Sequence, residues 1–241
     1  DMPVPGATHA ITVAVSDGFD VESDTIALTS LSPSSGFFEQ WDGDSFVSTG
    51  IFVPEGTLDA FTYLGNLTVR FVNNDLWTYS GGAWSGLDFS APAATVQATS
   101  HDVSSGFHSV LARDADGILY VFDGRVWTDC SMFYPAMPSE TIDFTCGGSS
   151  VMVVLSSGAI QHSESTADPY ADCGNQPGGL VRHIGFGDHS ASPMVLAVND
   201  SGACSAGDDF ADPAWTTIAG VTIPTDAVDA FLYGDLITIV R

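Results

Sequence analysis

Two pairs of acid–base side chains stand out in this chain. His101-Asp102 and Asp188-His189, with His108 a few residues after the first pair, each set an imidazole that titrates near neutrality beside a carboxylate able to orient it. Such a grouping suits proton transfer, a metal ion or the hydroxyls of a sugar. A second grouping is rich in oxygen. The stretch Ser16-Asp-Gly-Phe-Asp-Val-Glu-Ser-Asp24 offers Asp17, Asp20, Glu22 and Asp24, hard ligands of the type calcium takes. Calcium is the one cofactor the sequence suggests. The loop lacks helix–loop–helix spacing, and a solvated acidic loop is the alternative. Asp114-Ala-Asp116-Gly117 and Asp208-Asp209 with Asp212 have similar composition, and turn or loop chemistry accounts for both.

Other chemistries are missing. The sequence has no His-Glu-x-x-His, no Gly-x-Ser-x-Gly, no phosphate loop and no dinucleotide fingerprint. It has no Lys at all, which removes Schiff-base chemistry. The five basic residues are Arg, set against 25 Asp and 5 Glu, and the net charge is −25. A chain so acidic cannot neutralise a run of phosphates, which excludes nucleic acid as a partner. It is equally unsuited to an anionic membrane surface. No apolar run approaches the ~20 residues of a membrane-spanning helix. The charge favours cationic partners, calcium or a high-salt medium.

Four cysteines, Cys130, Cys146, Cys173 and Cys204, form no Cys-x-x-Cys pair, which argues against zinc. Their even number suggests two disulfides, with Cys130–Cys146 and Cys173–Cys204 the favoured pairing and buried thiols the alternative. Two glycosylation sequons, Asn66-Leu-Thr68 and Asn199-Asp-Ser201, fall on expected turns, where Asn and Ser are also plain turn residues. The chain begins at Asp1 without a basic–apolar leader, so a signal peptide is expected to have been removed. Together these features point to a secreted or extracellular protein.

The elements that must position these residues are written in a repeat. Six apolar segments begin at Thr25, Leu67, Ser109, Val151, Met194 and Leu236, and their starts lie 42, 42, 42, 43 and 42 residues apart. All but the last are followed by a turn signal, such as Asn74-Asp75, Asp116-Gly117 or Ser201-Gly202, and then by a further strand. A fourth strand carries an aromatic in register at Phe46, Trp84, Trp127 and Trp215, and the recurring Trp residues are expected to pack between repeats. In the fourth repeat only Tyr170 is available, in a stretch rich in Pro, Gly and Asp. Before each apolar segment lies a strand of smaller residues, as in Thr141-Ile-Asp-Phe-Thr-Cys-Gly147.

No helical period is present, and β-branched residues dominate the apolar runs. Each unit therefore reads as four antiparallel strands in about 42 residues. One such sheet cannot bury both of its faces, whereas radial stacking does, which makes the fold class an all-β propeller. The repeats run approximately 10–52, 53–94, 95–138, 139–180, 181–226 and, incomplete, 227–241, within a single domain. The expectation is six blades with a thin closing blade. Five blades with a displaced terminal hairpin is the alternative, and a fragment of a longer propeller a third.

The third repeat, Gly106-Phe-His108-Ser109 through Asp116-Gly117-Ile-Leu-Tyr120-Val-Phe122, resembles the repeat of the regulator-of-chromosome-condensation propellers. Gly187-Asp-His189-Ser190 echoes it. The Asp-Gly-x-Leu-Tyr core also looks like that of the tachylectin-type sugar-binding propellers. By register, the His/Asp residues fall at turns between first and second strands, on one face near the channel mouth.

The functional expectation is a secreted, non-catalytic recognition or assembly module that binds glycans or protein partners through its face loops. One alternative is a propeller glycosidase or lyase with a pair of carboxylates meeting in the channel mouth. Another is a structural subunit of a larger extracellular assembly.

Overall fold

The computed structural model describes residues 8–16, 21–29, 36–103, 107–147, 150–164, 169–173, 176–189, 192–207, 213–233 and 236–241. Every regular element among them is a β-strand. Strands β1 (Thr8–Ser16) and β2 (Val21–Thr29) pair with one another. Then come β3 (Phe37–Trp41), β4 (Phe46–Phe52), β5 (Thr57–Tyr63), β6 (Asn66–Phe71), β7 (Asp75–Ser80) and β8 (Ala83–Ser90). Two further meanders follow, β9 (Thr95–Val103), β10 (Phe107–Asp114), β11 (Leu119–Phe122), β12 (Trp127–Asp129), and β13 (Thr141–Gly147), β14 (Ser150–Leu155), β15 (Ile160–Ser163), β16 (Ala171–Asp172). The chain ends with β17 (Val181–His189), β18 (Ser192–Asn199), β19 (Ala203–Gly207), β20 (Thr216–Thr222), β21 (Asp229–Tyr233) and β22 (Leu236–Val240).

These strands build five antiparallel four-stranded blades. Four are sequential: β5–β8, β9–β12, β13–β16 and β17–β20. The second and third of these touch through one parallel bridge, Cys146 to His101. The fifth is composite, in the order β21-β22-β3-β4, so residues from the two ends of the chain share one sheet. In β16, where only Tyr170 was available as the aromatic, the outer strand shrinks to two residues.

Burial explains the ring. Five apolar clusters fill the five interfaces between blades. The second strand of each blade is buried on both faces, because it lies mid-sheet between two neighbours. Val151 and Val153 point into one cluster while Met152 and Val154 point into the next. Leu196 and Val198 alternate in the same way with Val195 and Ala197. The aromatic fourth strands fill the outer gaps, as expected. Trp84 donates its indole N–H to the Phe52 carbonyl of the preceding blade at 2.9 Å, and Trp127 donates to Ser90 at 2.8 Å.

The turns repeat as well. Asn74, Gly117 and Gly202 take positive φ, and the carbonyl of each accepts the N–H of the connector leaving the same blade, from Ala91, Met137 and Ile223. At Gly202 a side chain is sterically excluded too, since a Cβ there would stand 2.0 Å from the Ile223 carbonyl oxygen.

The six-blade expectation is corrected to five. The inner half of the first repeat, β1–β2, does not pair with β3; β21–β22 does. Packing gives the reason. In β22, Ile237, Thr238, Ile239 and Val240 are all buried. The matching stretch of β2, Ile26-Ala-Leu-Thr29, offers Ala and Thr where β22 has Thr and Val. β21 also brings Asp229, whose carboxylate accepts the Ala60 N–H of the next blade at 3.3 Å, while the register of β1 places Thr8 there.

The expected disulfides are not seen. All four cysteines are buried thiols. Cys130 and Cys146 share one cluster as small apolar side chains, whereas Cys173 and Cys204 belong to different clusters on opposite sides of the β17–β20 blade. A sheet thus separates the second pair.

Candidate functional site: the axis and its two faces

The first strand of every blade lines the axis. In four blades it carries an irregular register near its start. The extra residue there is Leu58, Val96, Ile142 or Arg182, and Val228 stands in the same place in the fifth. The residue that follows turns toward the axis: Asp59, Gln97, Asp143, His183 and Asp229, one from each blade.

The carboxylates of this ring hold the blades together. Asp59 accepts the Ala98 N–H of the next blade at 2.9 Å, and Asp143 accepts the Ile184 N–H at 2.8 Å. With Asp229 on Ala60, three blades use one device, a carboxylate reaching to the main chain of its successor. Asp143 also accepts the Phe144 N–H and a bond from the Gln97 amide. Arg70, fully buried, binds Asp59 through Nε, Asn74 and the Thr95 carbonyl through Nη1, and the Val96 carbonyl through Nη2. Arg113 repeats the pattern one blade on, with Nε to Gln97 and Nη2 to the Thr141 carbonyl.

Burial sets the electrostatics. It pushes the Asp59 carboxyl up to about 6 against the opposing pull of Arg70. It pushes Asp229 up to about 6, and Asp143 upward too, with the neighbouring Asp229 charge adding to the effect. Burial and the nearby Arg182 push His183 down to about 4. The His183 Nδ1 stands 3.8 Å from Asp143 and 4.0 Å from Asp229, so the ring holds a neutral imidazole beside carboxyls that resist ionisation. The axial cavity beside them, lined by Gln97, Asp143 and Asp229 and by first-strand residues such as Thr99 and Gly185, is about 20 Å³, space for a water molecule.

The ring has two faces. On the entry face the first strands begin; on the exit face they end. The backbones of His101 and Asp102 lie at the end of β9, and Asp102 is opposite His108 on β10. Asp188 and His189 end β17, opposite Pro193 and Ser192. The expected His/Asp residues thus fall on the exit face, on two blades separated by the β13–β16 blade. Their side chains lie outside the described residues. Asp17 and Asp20 lie outside them too, as do the side chains of Glu22 and Asp24 on β2. Among the described residues no group of three or more His, Cys, Asp or Glu is placed to hold a metal ion.

Asn66 opens β6 just after the exit-face turn from β5, and its amide donates to the Leu64 carbonyl. Asn199 ends β18 on the entry face. Its Oδ1 accepts from Ser201 and Ala203, and its Nδ2 donates to the Gly178 carbonyl.

The axial ring is the arrangement that sequence reading passed over. Its signal was present: an Asp, Gln or His precedes the small or apolar residues of every first strand, as in Leu58-Asp-Ala-Phe61 and Val228-Asp-Ala-Phe231. The spacing varies from blade to blade, which hides it from a period of 42.

No protein-family model and no curated protein matches the chain. Solved structures do. The chain is similar to the SapL1 lectin in complex with alpha methyl fucoside, at 14% identity and a TM-score of 0.48, over 97% of this chain and 88% of the lectin. It is similar to YCF48 bound to D1 peptide at 13% and 0.39, over 73% of this chain and 58% of that one. It is also similar to PorZ, a surface component of the type-IX secretion system of Porphyromonas gingivalis, at 14% and 0.39. That match spans 76% of this chain but 25% of PorZ.

Proposed function

We propose that the protein is a non-catalytic recognition or assembly module that binds a glycan or protein partner through the loops of its propeller faces, in an extracellular setting. One observation carries the reading. The carboxylates of different blades do meet, as a propeller glycosidase would require, but they meet as structural groups. Each accepts main-chain N–H bonds. The axial cavity that Asp143 and Asp229 line takes a water and no sugar ring, and glycoside hydrolysis needs two carboxyls with a substrate between them. The His/Asp residues of the exit face, His101, Asp102, His108, Asp188 and His189, are one candidate contact set. The two sequons support the extracellular setting.

A glycan array combined with immobilised-protein binding assays tests this reading. Saturable binding that survives Asp143→Asn is the expected result. Turnover of a glycoside that is abolished by Asp143→Asn or Asp229→Asn in a folded variant would replace the reading with the hydrolase. Background signal on every arm would remove it.

A further inference from the structure

Among the described residues, the exposed large apolar side chains of the entry face outnumber those of the exit face. On the entry face, Leu58, Val96, Ile142 and Val228 ring the axis, each between 44% and 50% exposed. Leu58, Val96 and Ile142 are the extra residues of first-strand irregularities and Val228 stands in the same place, so the backbone device that turns a polar residue inward turns an apolar one outward. Further from the axis the same face exposes Val72, at 70%, with Phe37, Phe52 and Phe133. Toward the exit face, Leu64, Val126, Leu236 and, near the start of β4, Val47 are exposed among the described residues. Monomeric proteins seldom leave a contiguous apolar surface without a use.

The entry face also has a groove. The connector Pro54–Gly56 and the turn from Phe71 to Asp75 border an open groove of about 550 Å³, floored by Phe71 and Trp77. The two rings meet edge to face with centroids 5.6 Å apart. Perpendicular rings present a π-face and an apolar corner to the same occupant. Glu55 and Asp75 stand at the rim. Around the rest of the face run Asp116, Glu140, Asp200 and Asp226, all exposed. The basic residues there are committed or few. Arg241 pairs with Asp226 and Glu39, and Arg70 and Arg113 are tied to the axial ring. Arg182 takes the fifth place around the axis.

We infer that the entry face is a docking surface for a cationic polypeptide segment with apolar anchors. The inference rests on the recognition-module reading and names the face and the chemistry of the partner. Apolar residues at the centre with a charged rim is the ordinary anatomy of a protein interface. The rim is acidic, so its complement is basic, and a net charge of −25 steers such a partner from a distance. A second copy of this chain is the wrong occupant, because a face-to-face pair would set acid against acid. The groove accepts an apolar side chain or, over the ring faces, a Lys or Arg.

Binding is measured with an amphipathic Leu/Lys peptide and a Ser/Lys peptide of equal length and charge. The proteins are the wild type, the entry-face variant Leu58→Ser/Val72→Ser/Val96→Ser, and the exit-face control Leu64→Ser/Val126→Ser. All substituted side chains are exposed, and melting curves check folding. The wild type is expected to prefer the Leu/Lys peptide by about tenfold or more, through the apolar area it buries. That preference should collapse in the entry-face variant and persist in the control. Equal binding of both peptides, a preference untouched by the entry-face substitutions, loss in the control instead, or dimerisation lost in the entry-face variant would each overturn the inference. A positive glycan array alongside any of these leaves the recognition module standing with a different site. A blank array and no peptide binding removes both.

Discussion

Three carboxyl groups converge on the axis of this protein, and what they do there is hold the main chain. Asp143 is the most heavily used, accepting from Phe144, Ile184 and Gln97. Asp143→Ala leaves these buried donors without an acceptor and is expected to destabilise the fold by about 2–4 kcal/mol, read from urea unfolding. Gly202→Ala should fail for a different reason, the clash of its Cβ with the Ile223 carbonyl at a positive φ.

The ring also predicts an unusual pH profile. Asp59 and Asp229 titrate at about 6 when folded, above the value near 4 of an unfolded carboxyl, and Asp143 is raised as well. The folded state then binds more protons than the unfolded one between about pH 4 and 6, so these groups lose stability as pH rises through that window. His183, depressed to about 4, works the other way, losing stability as pH falls from about 6.5. Three groups oppose one. Turn carboxylates such as Asp42 and Asp123, held low by backbone N–H groups, lose their contribution below about pH 4. The melting temperature is therefore expected to be higher near pH 5 than near pH 7.5, and to fall below pH 4. Calorimetry checks this, and Asp229→Asn should flatten the rise. A melting temperature that climbs steadily from pH 5 to 7.5 would contradict the assignment.

At the scale of elements, the chain contains two candidates for the inner half of one blade. β1–β2 and β21–β22 are the same half-repeat, and both could in principle lie against β3. The second holds the place because it buries four consecutive side chains of β22 and supplies Asp229 to the axis. Deletion of residues 1–29 is accordingly expected to leave the cooperative unfolding transition in place, with a small change in melting temperature. Deletion of 229–241 should abolish the transition, because it opens two blade interfaces at once. Circular dichroism melts distinguish these outcomes.

Across the whole molecule, an acidic ring with an apolar entry face combines two opposed tendencies. Self-repulsion among 30 carboxylates keeps copies apart, while the exposed apolar residues favour a partner of the opposite charge. Added salt is expected to raise the melting temperature by screening that repulsion, and to weaken a cationic peptide without erasing its apolar preference.

Much of this was written in the residue order. The period of 42, the second strands apolar on both faces, the turn residues and the Trp positions are local features, because each reports the surroundings of its own short segment. They determined the all-β propeller and the placing of Trp84 and Trp127 between blades. The number of blades was not local. It depended on β22 meeting β3 from the far end of the chain, a contest between near-equal strands that only the packing of Phe38, Phe231 and Val240 against the next blade resolves. The axial ring, the separation of Cys173 from Cys204 and the apolar entry face are of the same kind. Each is made by residues from different blades, and a linear sequence cannot show which residues a closed ring brings together.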